Sequence, residues 1–342
     1  MDWYKLDSAF APTSLIENYS SAIWTERYSS SGDFEIITTN VPYLFPLLTL
    51  GDFVSHAKTN QVCIVENKEI TQNEDGAKEL KVSGRTIDCF LEHRGFPINV
   101  NGTSYQPLGV MNAILNSGTV RPSSHPRIFT TNIHSSASSY GAEYWESGEM
   151  TSFYDALWDY LNGNEFGIRS DRRSITVGTP NQIRMQLYKG TDISAQASAI
   201  FSVERGDIAD AKYLWTNVDK KNVVWMKETD GLYIPVDGTG TTNDTLVGYD
   251  RREGLYPRQL STMGDTTRMQ TLGRRNVKKH QQQLFVEATA TPEALPTYKV
   301  QYDLGDTIMF HGDYNVRQTL TVEEYTYISD GEGDRDYPAF AG

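Results

Sequence analysis

The sequence predicts a β-rich α+β fold in which two small antiparallel β-barrels accompany an α+β module with one or two prominent helices. The main observation is a near-repeat: Leu50-Gly51-Asp52 and Leu304-Gly305-Asp306 each follow an apolar run and precede a β-rich stretch. In each copy Leu is expected to be a buried anchor, Gly to supply a turn conformation and Asp to hydrogen-bond the turn backbone. The repeat suggests two related barrels, one at each end of the chain, although Gly-Asp is a common turn pair and coincidence is the alternative.

Composition is the second observation behind this fold class. The 20 Tyr, 13 Phe and 6 Trp residues, together with many Ser and Thr, favour strands. A length of 342 residues allows two to three domains. The 31 basic and 44 acidic residues give a net charge of −13, which argues against nucleic-acid binding as the main role of the protein.

The two cysteines, Cys63 and Cys89, form no metal-binding motif. They are either small buried hydrophobic side chains or a disulfide pair, and so low a cysteine count favours the first interpretation. The amino terminus lacks the charged and apolar regions of a signal peptide, and no apolar run is long enough to span a bilayer. We therefore expect a soluble protein made in a cytoplasm, without membrane insertion.

The first hundred residues have mainly strand patterns. Residues 33–38 and 80–85 are predicted to be strands, and Asn73-Glu74-Asp75-Gly76 is typical of a hairpin turn. Residues 86–94 have apolar side chains at helical spacing, which predicts a short helix that Gly95 ends.

The middle of the chain predicts an α+β module. Residues 98–150 are loop-rich and polar. Ser152 is a good N-cap for a helix over residues 152–161, in which Phe153, Leu157 and Leu161 share one face. Short strands are expected to follow between residues 166 and 188.

Two more strands and a second helix are predicted further along. The strands cover residues 199–204 and 222–226, and the helix covers residues 262–283 with Met269, Leu272 and Val277 directed inward. The helix also carries the only basic cluster of the chain. We interpret that cluster as a solvated helix face, with contact to a phosphate or an acidic partner as the alternative; its members are Arg268, Arg274, Arg275, Lys278 and Lys279.

No motif in the sequence points to catalysis. The six histidines are scattered and form no H-x-x-x-H or H-E-x-x-H arrangement. A G-x-S-x-G elbow, a Walker A loop and a dinucleotide fingerprint are all missing from the sequence. Acidic residues are abundant, so a glycosidase carboxylate pair stays open, yet no two are singled out. We predict no catalytic, cofactor-binding or metal-binding residues, no cofactor, and a protein that is not an enzyme.

Several segments share their order and spacing with one group of proteins. They are Trp24-Thr25-Glu26-Arg27-Tyr28 with Gly32-Asp33-Phe34-Glu35, Leu80-Lys81-Val82-Ser83-Gly84-Arg85 with Leu91 and Arg94, Leu157 to Leu161 before Gly167-Ile168-Arg169, Ile200-Phe201-Ser202, Asp250-Arg251-Arg252-Glu253, and Leu304-Gly305-Asp306. In this arrangement the chain resembles the ReqiPepy-type siphophage minor tail proteins, which are related to the hub proteins of phage tail tips and contractile baseplates. The resemblance covers most of the chain but finds no match in residues 98–150.

The resemblance implies a structural role. Hub proteins of this kind form a homotrimeric ring under the tail tube, and each subunit supplies two similar β-barrels. Three subunits thus offer six near-equivalent barrels to a hexameric ring above. On this basis residues 1–100 are expected to form the first barrel, completed by strands from about 195–235, residues 101–190 the α+β module, and residues 236–342 a helix and the second barrel.

The resemblance also implies partners and a location. The expected partners are further copies of the chain, the distal tail protein ring, the tape measure protein, other tail-tip or fibre proteins, and DNA that passes through the lumen without specific binding. The protein would then be a structural virion component of the tail tip, assembled in the host cytoplasm. Two alternatives stay open: a host-surface glycan-binding tail protein, because Tyr and Trp suit sugar stacking, and a cell-wall glycosidase.

Overall fold

The computed structural model describes both ends of the chain and parts of its middle. The described residues are 1–72, 74–93, 95–96, 101–105, 129–130, 143–146, 151–152, 166–173, 182–227, 231, 233–241, 247–259, 266–280, 284–291, 294 and 296–341.

The described segments are mostly strands. In chain order, those before residue 190 are β1 (Trp3–Leu6), β2 (Pro12–Ile16), β3 (Ser21–Arg27), β4 (Asp33–Thr38), β5 (Phe53–His56), β6 (Cys63–Gln72), β7 (Lys78–Thr86), β8 (Gly95–Phe96), β9 (Asn101–Tyr105), β10 (Phe129–Thr130), β11 (Glu143–Glu146), β12 (Thr151–Ser152), β13 (Gly167–Arg173) and β14 (Gln182–Tyr188). Those after it are β15 (Ile200–Ser202), β16 (Ile208–Trp215), β17 (Val223–Lys227), β18 (Tyr233–Asp237), β19 (Glu253–Gln259), β20 (Leu284–Ala290), β21 (Thr307–His311), β22 (Arg317–Asp330) and β23 (Gly333–Ala341). The described helices are α1 (Val41–Leu47), α2 (Thr266–Lys279) and 3-10 turns at Ile87–His93 and Ala197–Ala199.

The largest sheet joins both ends of the chain. Its strand order is β15-β21-β22-β3-β4-β7-β6-β5-β1-β2, and β23 pairs with β22 as the eleventh strand. Neighbouring strands run antiparallel, except for the parallel pair β15 and β21. The link between the ends is the pairing of β3 with β22, which places Trp24 opposite Tyr327.

Alternating burial accounts for the strands of this sheet, because successive side chains of a strand point to opposite faces. In β4, Phe34 and Ile36 are buried while their neighbours are only half-buried. In β22 the buried side chains are at even-numbered positions up to Val322, including Leu320, and at odd-numbered positions from Tyr325 onward. The change of phase follows from a β-bulge just after Val322, where one extra residue re-aims the rest of the strand.

One hydrophobic core extends under both halves of the sheet. Its largest side chains come from both ends of the chain, and each is expected to contribute about 1.5–3 kcal/mol by burial; they are Trp3, Trp24, Phe34, Phe201 and Phe310. The two ends therefore share a core and do not fold around separate ones.

A second, smaller core lies under α2. This helix packs on β17 and β18, and β17 is the central strand of a three-stranded sheet in the order β18-β17-β19. The prediction that Met269, Leu272 and Val277 point inward is confirmed, since all three are buried against this sheet. The helix spans fewer residues than the predicted 262–283, and the remaining predicted positions lie outside the described residues or just beyond its end.

The predicted fold class is wrong. Strands make up 52% of the structure and helices about 11%, so the protein is mostly β and not α+β. The predicted pair of small antiparallel barrels is also wrong, because the described strands form a large mixed sheet and no closed barrel. The physical reason is the long-range pairing of β3 with β22. Strand alternation shows which segments are strands, but not which distant edges meet.

Three further predictions concern local segments. The short helix predicted over residues 86–94 is a 3-10 helix. The helix predicted over residues 152–161 lies outside the described residues, apart from Ser152 at the end of β12. Of the strands near 195–235, β15 pairs with β21 and β16 with β20. The domain limits at about 100, 190 and 236 stay predictions, because strand pairing alone does not define folding units.

Candidate functional site: the junction of the two chain ends

The junction of the two chain ends brings together charged and polar side chains from distant parts of the chain. It is built on the antiparallel pairing of β3 with β22, in which Arg27 lies opposite Glu324 and Ser21 opposite Asp330. At its rim, Arg27 Nε donates to Glu324 Oε1 at 2.8 Å, and the Arg27 guanidinium also contacts Asp33. Both ion pairs are partly exposed, so each is expected to contribute at most about 1 kcal/mol.

Glu26 is a fully buried carboxylate at the centre of this junction. The Tyr298 hydroxyl donates to Glu26 Oε2 at 2.8 Å, Lys299 Nζ lies 3.0 Å from the same oxygen, and the Thr59 hydroxyl donates to Oε1. Burial acts to raise the pKa of Glu26, but Lys299 and the two hydroxyl donors outweigh it and hold the pKa below its ordinary value. Glu26 is therefore ionised, and it ties three distant parts of the chain together.

His56 is buried next to Glu26 in an aromatic cage. Its ring centroid lies 5.3 Å from that of Trp3, 4.9 Å from that of Trp24 and 4.8 Å from that of Tyr327. Burial, the largest cause, lowers the pKa of His56 to about 3, although the Glu26 charge acts in the opposite direction. The imidazole is therefore neutral at physiological pH and packs as an aromatic core residue.

Arg169 on β13 connects the middle of the chain to the junction. Its guanidinium donates to Asp303 Oδ1 at 2.7 Å and lies 4.7 Å from the centroid of the Tyr188 ring. The Tyr188 ring in turn packs edge-on against Tyr28, at a centroid distance of 5.3 Å. Residues from β13, from β14, from the position just after β3 and from the turn before β21 thus meet at one place.

The polar groups of this arrangement bind one another and leave no site for a ligand at Glu26. Both oxygens of Glu26 are already held by donors, and its side chain has no exposed surface. In the part of the chain that the structure describes, no group of three or more His, Cys, Asp or Glu side chains could hold a metal ion. The geometry supports a structural role for these residues, in which buried polar bonds specify how the two ends meet.

The two near-repeated turns have the same backbone hydrogen bonds. Gly51 N–H donates to the Val65 carbonyl at 2.8 Å, and Gly305 N–H donates to the Val322 carbonyl at 2.8 Å. Both glycines have a left-handed φ, +87° at Gly51 and +84° at Gly305, which is the reason for glycine at this position. The predicted role of the glycine is confirmed in both copies.

The aspartates of the two turns also match. Asp52 Oδ2 accepts from the backbone N–H of Thr49 at 2.7 Å, and Asp306 Oδ2 accepts from that of Asp303 at 2.8 Å. A β-bulge then follows directly after the valine that accepts from each turn glycine, Val65 in β6 and Val322 in β22. Each chain end is therefore one copy of a turn, strand and bulged-strand module.

The leucines of the two turns differ. Leu304 is buried, as predicted, but the predicted burial of Leu50 is wrong because its side chain is 64% exposed. The difference arises because the turn at Gly305 packs against Tyr28 in the junction, whereas no residue lies within 4 Å of the position of a Cβ at Gly51.

The sequence also singled out two cysteines and a basic helix. Cys63 and Cys89 are buried and unpaired, and burial raises the pKa of both thiols, that of Cys89 to about 12. On the basic helix α2, the side chains of Arg274 and Lys278 are exposed. The sequence pointed to Glu26 only within the Trp24–Tyr28 segment that carries the resemblance. The available signal was a carboxylate between two aromatic residues on one face of an alternating strand.

No described helix is long and apolar enough to cross a membrane.

Comparisons with known proteins agree on one class. A search of curated proteins found no match. Among solved structures, a tail protein from Neisseria meningitidis MC58 superposes with a TM-score of 0.65 at 12% identity, covering 96% of this chain and 94% of that one. The prophage MuSo2 43 kDa tail protein from Shewanella oneidensis gives a TM-score of 0.64 at 13% identity, with 99% and 97% covered. Prophage tail protein gp18 from Listeria monocytogenes EGD-e gives 0.57 at 9% identity, with 100% and 95% covered.

These likenesses show that the fold is shared with phage tail proteins. The family model described as Siphovirus ReqiPepy6 Gp37-like protein matches residues 3–342, which is nearly the whole chain. The chain therefore belongs to the Siphovirus ReqiPepy6 Gp37-like protein family and is a structural tail component of the virion.

Proposed function

We propose that this chain forms a homotrimeric hub ring that closes the tail tube and adapts threefold to sixfold symmetry. The observation that carries the proposal is the repeat of one module at both chain ends, with the same glycine turn and the same bulge. Three chains would present six such modules. A ring of six near-equivalent modules is what a hexameric neighbour requires in order to make the same contact at every position.

The neighbours in this proposal are the distal tail protein ring above, the tape measure protein in the lumen and other tail-tip or fibre proteins outside. The net charge of −13 supports a lumen through which DNA passes without being held, since phosphate binding depends on clustered Lys and Arg.

Light scattering coupled to size exclusion, followed by negative-stain imaging of the purified chain, tests the ring. We expect a particle of three times 38.5 kDa with a central opening and six similar lobes. A particle with the mass of a single chain at micromolar concentration would contradict the proposal.

Binding to glycans on the host surface is a second candidate function. The observation in its favour is that Tyr249 and Tyr314 are almost fully exposed, at 97% and 92%, and exposed aromatic rings can stack on sugars. Titration of the full chain with host cell-wall oligosaccharides, followed by tyrosine fluorescence, tests it. Saturable binding that is lost in Tyr249→Ala or Tyr314→Ala would support it.

A further inference from the structure

We propose that the outer edge of β6 in one copy pairs antiparallel with the outer edge of β16 in a second copy, and that this contact links the subunits of the ring. The inference rests on the proposed ring and names the surfaces that would form it. It follows from four observations on the described residues.

The first observation is that residues 324–330 of β22 are paired on both edges, whereas the matching residues 67–72 of β6 are paired on one. Residues 324–330 pair with β23 on one side and with β3 on the other. β6 is the matching strand of the other module, yet residues 67–72 pair only with β7 among the described strands. The place that β3 occupies beside β22 is thus open beside β6, and an unpaired edge is a template for a further strand.

The second observation is that β16 is the counterpart of β3. β3 pairs with β4, which pairs with β7. In the other module β16 pairs with β20, and β20 packs beside β23, the counterpart of β7. The aromatic contacts support the same correspondence. The Tyr213 ring packs on Phe310 with centroids 5.9 Å apart, and the Trp24 ring packs on His56, the equivalent of Phe310, with centroids 4.9 Å apart.

β16 also has an available edge. Among the described strands it pairs with β20 alone. One chain therefore supplies two unpaired strand edges, that of residues 67–72 in β6 and that of β16. Their equivalents β22 and β3 pair with each other inside the chain, which shows how the two edges would pair. A second copy of this chain is the partner that carries the complementary edge in the same geometry.

The third observation sets the register. Tyr327 lies opposite Trp24 in the internal junction. Ile70 corresponds to Tyr327, since each lies five residues beyond the valine that contacts its glycine turn. Tyr213 corresponds to Trp24 by the ring contacts above. We apply the register of β3 with β22 to the contact of β16 with β6 between copies, and call it the transferred register. It places Ile70 of one copy opposite Tyr213 of the next, and Glu69 opposite Leu214.

The fourth observation is that both edges expose apolar side chains that this contact would cover. Ile70 is 47% exposed on β6, and Leu214 and Trp215 are 49% and 59% exposed on β16. Tyr213 and Trp215 are stacked with centroids 5.8 Å apart, which offers an aromatic surface to Ile70. Leu50 would also be covered by this contact. Its equivalent Leu304 is buried at the internal junction, whereas the side chain of Leu50 is 64% exposed.

Disulfide trapping in the full chain tests the register. In the transferred register, residues 69 and 214 form a non-hydrogen-bonded pair, with Cα atoms about 4.5 Å apart, within the range of a disulfide. We expect the double variant Glu69→Cys/Leu214→Cys to form covalent species up to the trimer on mild oxidation, reversed by reductant. The matched control Glu69→Cys/Trp215→Cys places the second thiol on the opposite face of the strand and is expected to give at least tenfold less product.

Disruption of the edge is the second arm. Ile70 has its backbone N–H on the open edge in this register, so Ile70→Pro should keep the monomer folded while removing a bond to the next copy. We expect the light-scattering mass to fall to 38.5 kDa with unchanged near-ultraviolet circular dichroism. A ring that forms without the 69–214 cross-link, or that persists in Ile70→Pro, would overturn this pairing and leave the proposed function standing. A wild-type chain that is monomeric would overturn both.

Discussion

At the scale of single residues, the two modules differ most clearly at His56 and Phe310. Each is the fourth residue of the strand that follows its glycine turn, and each is fully buried. The same position therefore holds a titratable ring in one copy and a phenyl ring in the other. Because His56 is buried, the stability of the first module depends on pH, whereas the second module has no titratable ring at this position.

Replacement of His56 tests this difference. The pKa of His56 is lowered to about 3, so between about pH 6.5 and pH 3 the unfolded chain binds a proton that the folded chain does not. Stability is therefore lost as the pH falls through this window, by about 2 kcal/mol between pH 7 and pH 5. We expect His56→Phe to fold and to show a weaker fall, measured as urea unfolding at each pH. An equal change in the control His311→Phe would contradict this assignment.

Removal of the buried charge at Glu26 is a second residue-scale prediction. Glu26→Gln keeps the side-chain shape but leaves Lys299 without its carboxylate, so we expect a loss of about 2 kcal/mol. Glu324→Gln is the matched control, since its ion pair with Arg27 lies at the partly exposed rim and should cost less than about 1 kcal/mol. Thermal unfolding of both variants at pH 7 measures the difference, and equal losses would contradict the central role of Glu26.

At the scale of elements, the turn and the bulge are the units that repeat. Local chemistry accounts for the turn, because a left-handed residue followed by Asp stabilises this turn in both modules. What differs is the surroundings. A Cβ at Gly305 would lie 2.3 Å from the Tyr28 ring, whereas a Cβ at Gly51 would meet nothing within 4 Å.

The paired glycine substitutions are therefore unequal. We expect Gly51→Ala to cost about 1 kcal/mol through backbone strain alone. Gly305→Ala should cost about 3 kcal/mol, because overpacking against Tyr28 adds to the same strain. Denaturant unfolding of the two single variants measures both values. Equal costs would show that the Tyr28 contact does not constrain the turn.

At the scale of the whole molecule, the pairing of β3 with β22 makes the two ends one sheet with one core. The N-terminal half lacks part of its own core, since Trp24 and His56 lie against Tyr327 from the other end. This dependence predicts that a fragment of residues 1–93 does not fold alone.

Near-ultraviolet circular dichroism of that fragment provides the test. We expect the fixed aromatic signal of the full chain to be absent, because the cage around His56 is incomplete. Addition of a separate fragment of residues 197–342 is expected to restore part of the signal. Cooperative unfolding of residues 1–93 alone would contradict the dependence and would support a domain limit near residue 100.

The sequence by itself determined the local features: alternating strands such as β4 and β22, the left-handed glycines of both turns, the inward face of α2 and the class of protein to which the motifs point. These follow from short-range periodicity and backbone chemistry, which act within a few residues. The tertiary structure decided the rest, including one large sheet across both chain ends in place of two barrels, the burial of Leu304 against the exposure of Leu50, and the ionised Glu26 at the junction. Each of these depends on which distant edges meet, and edge pairing is chosen by the fit of the whole core, not by any local pattern.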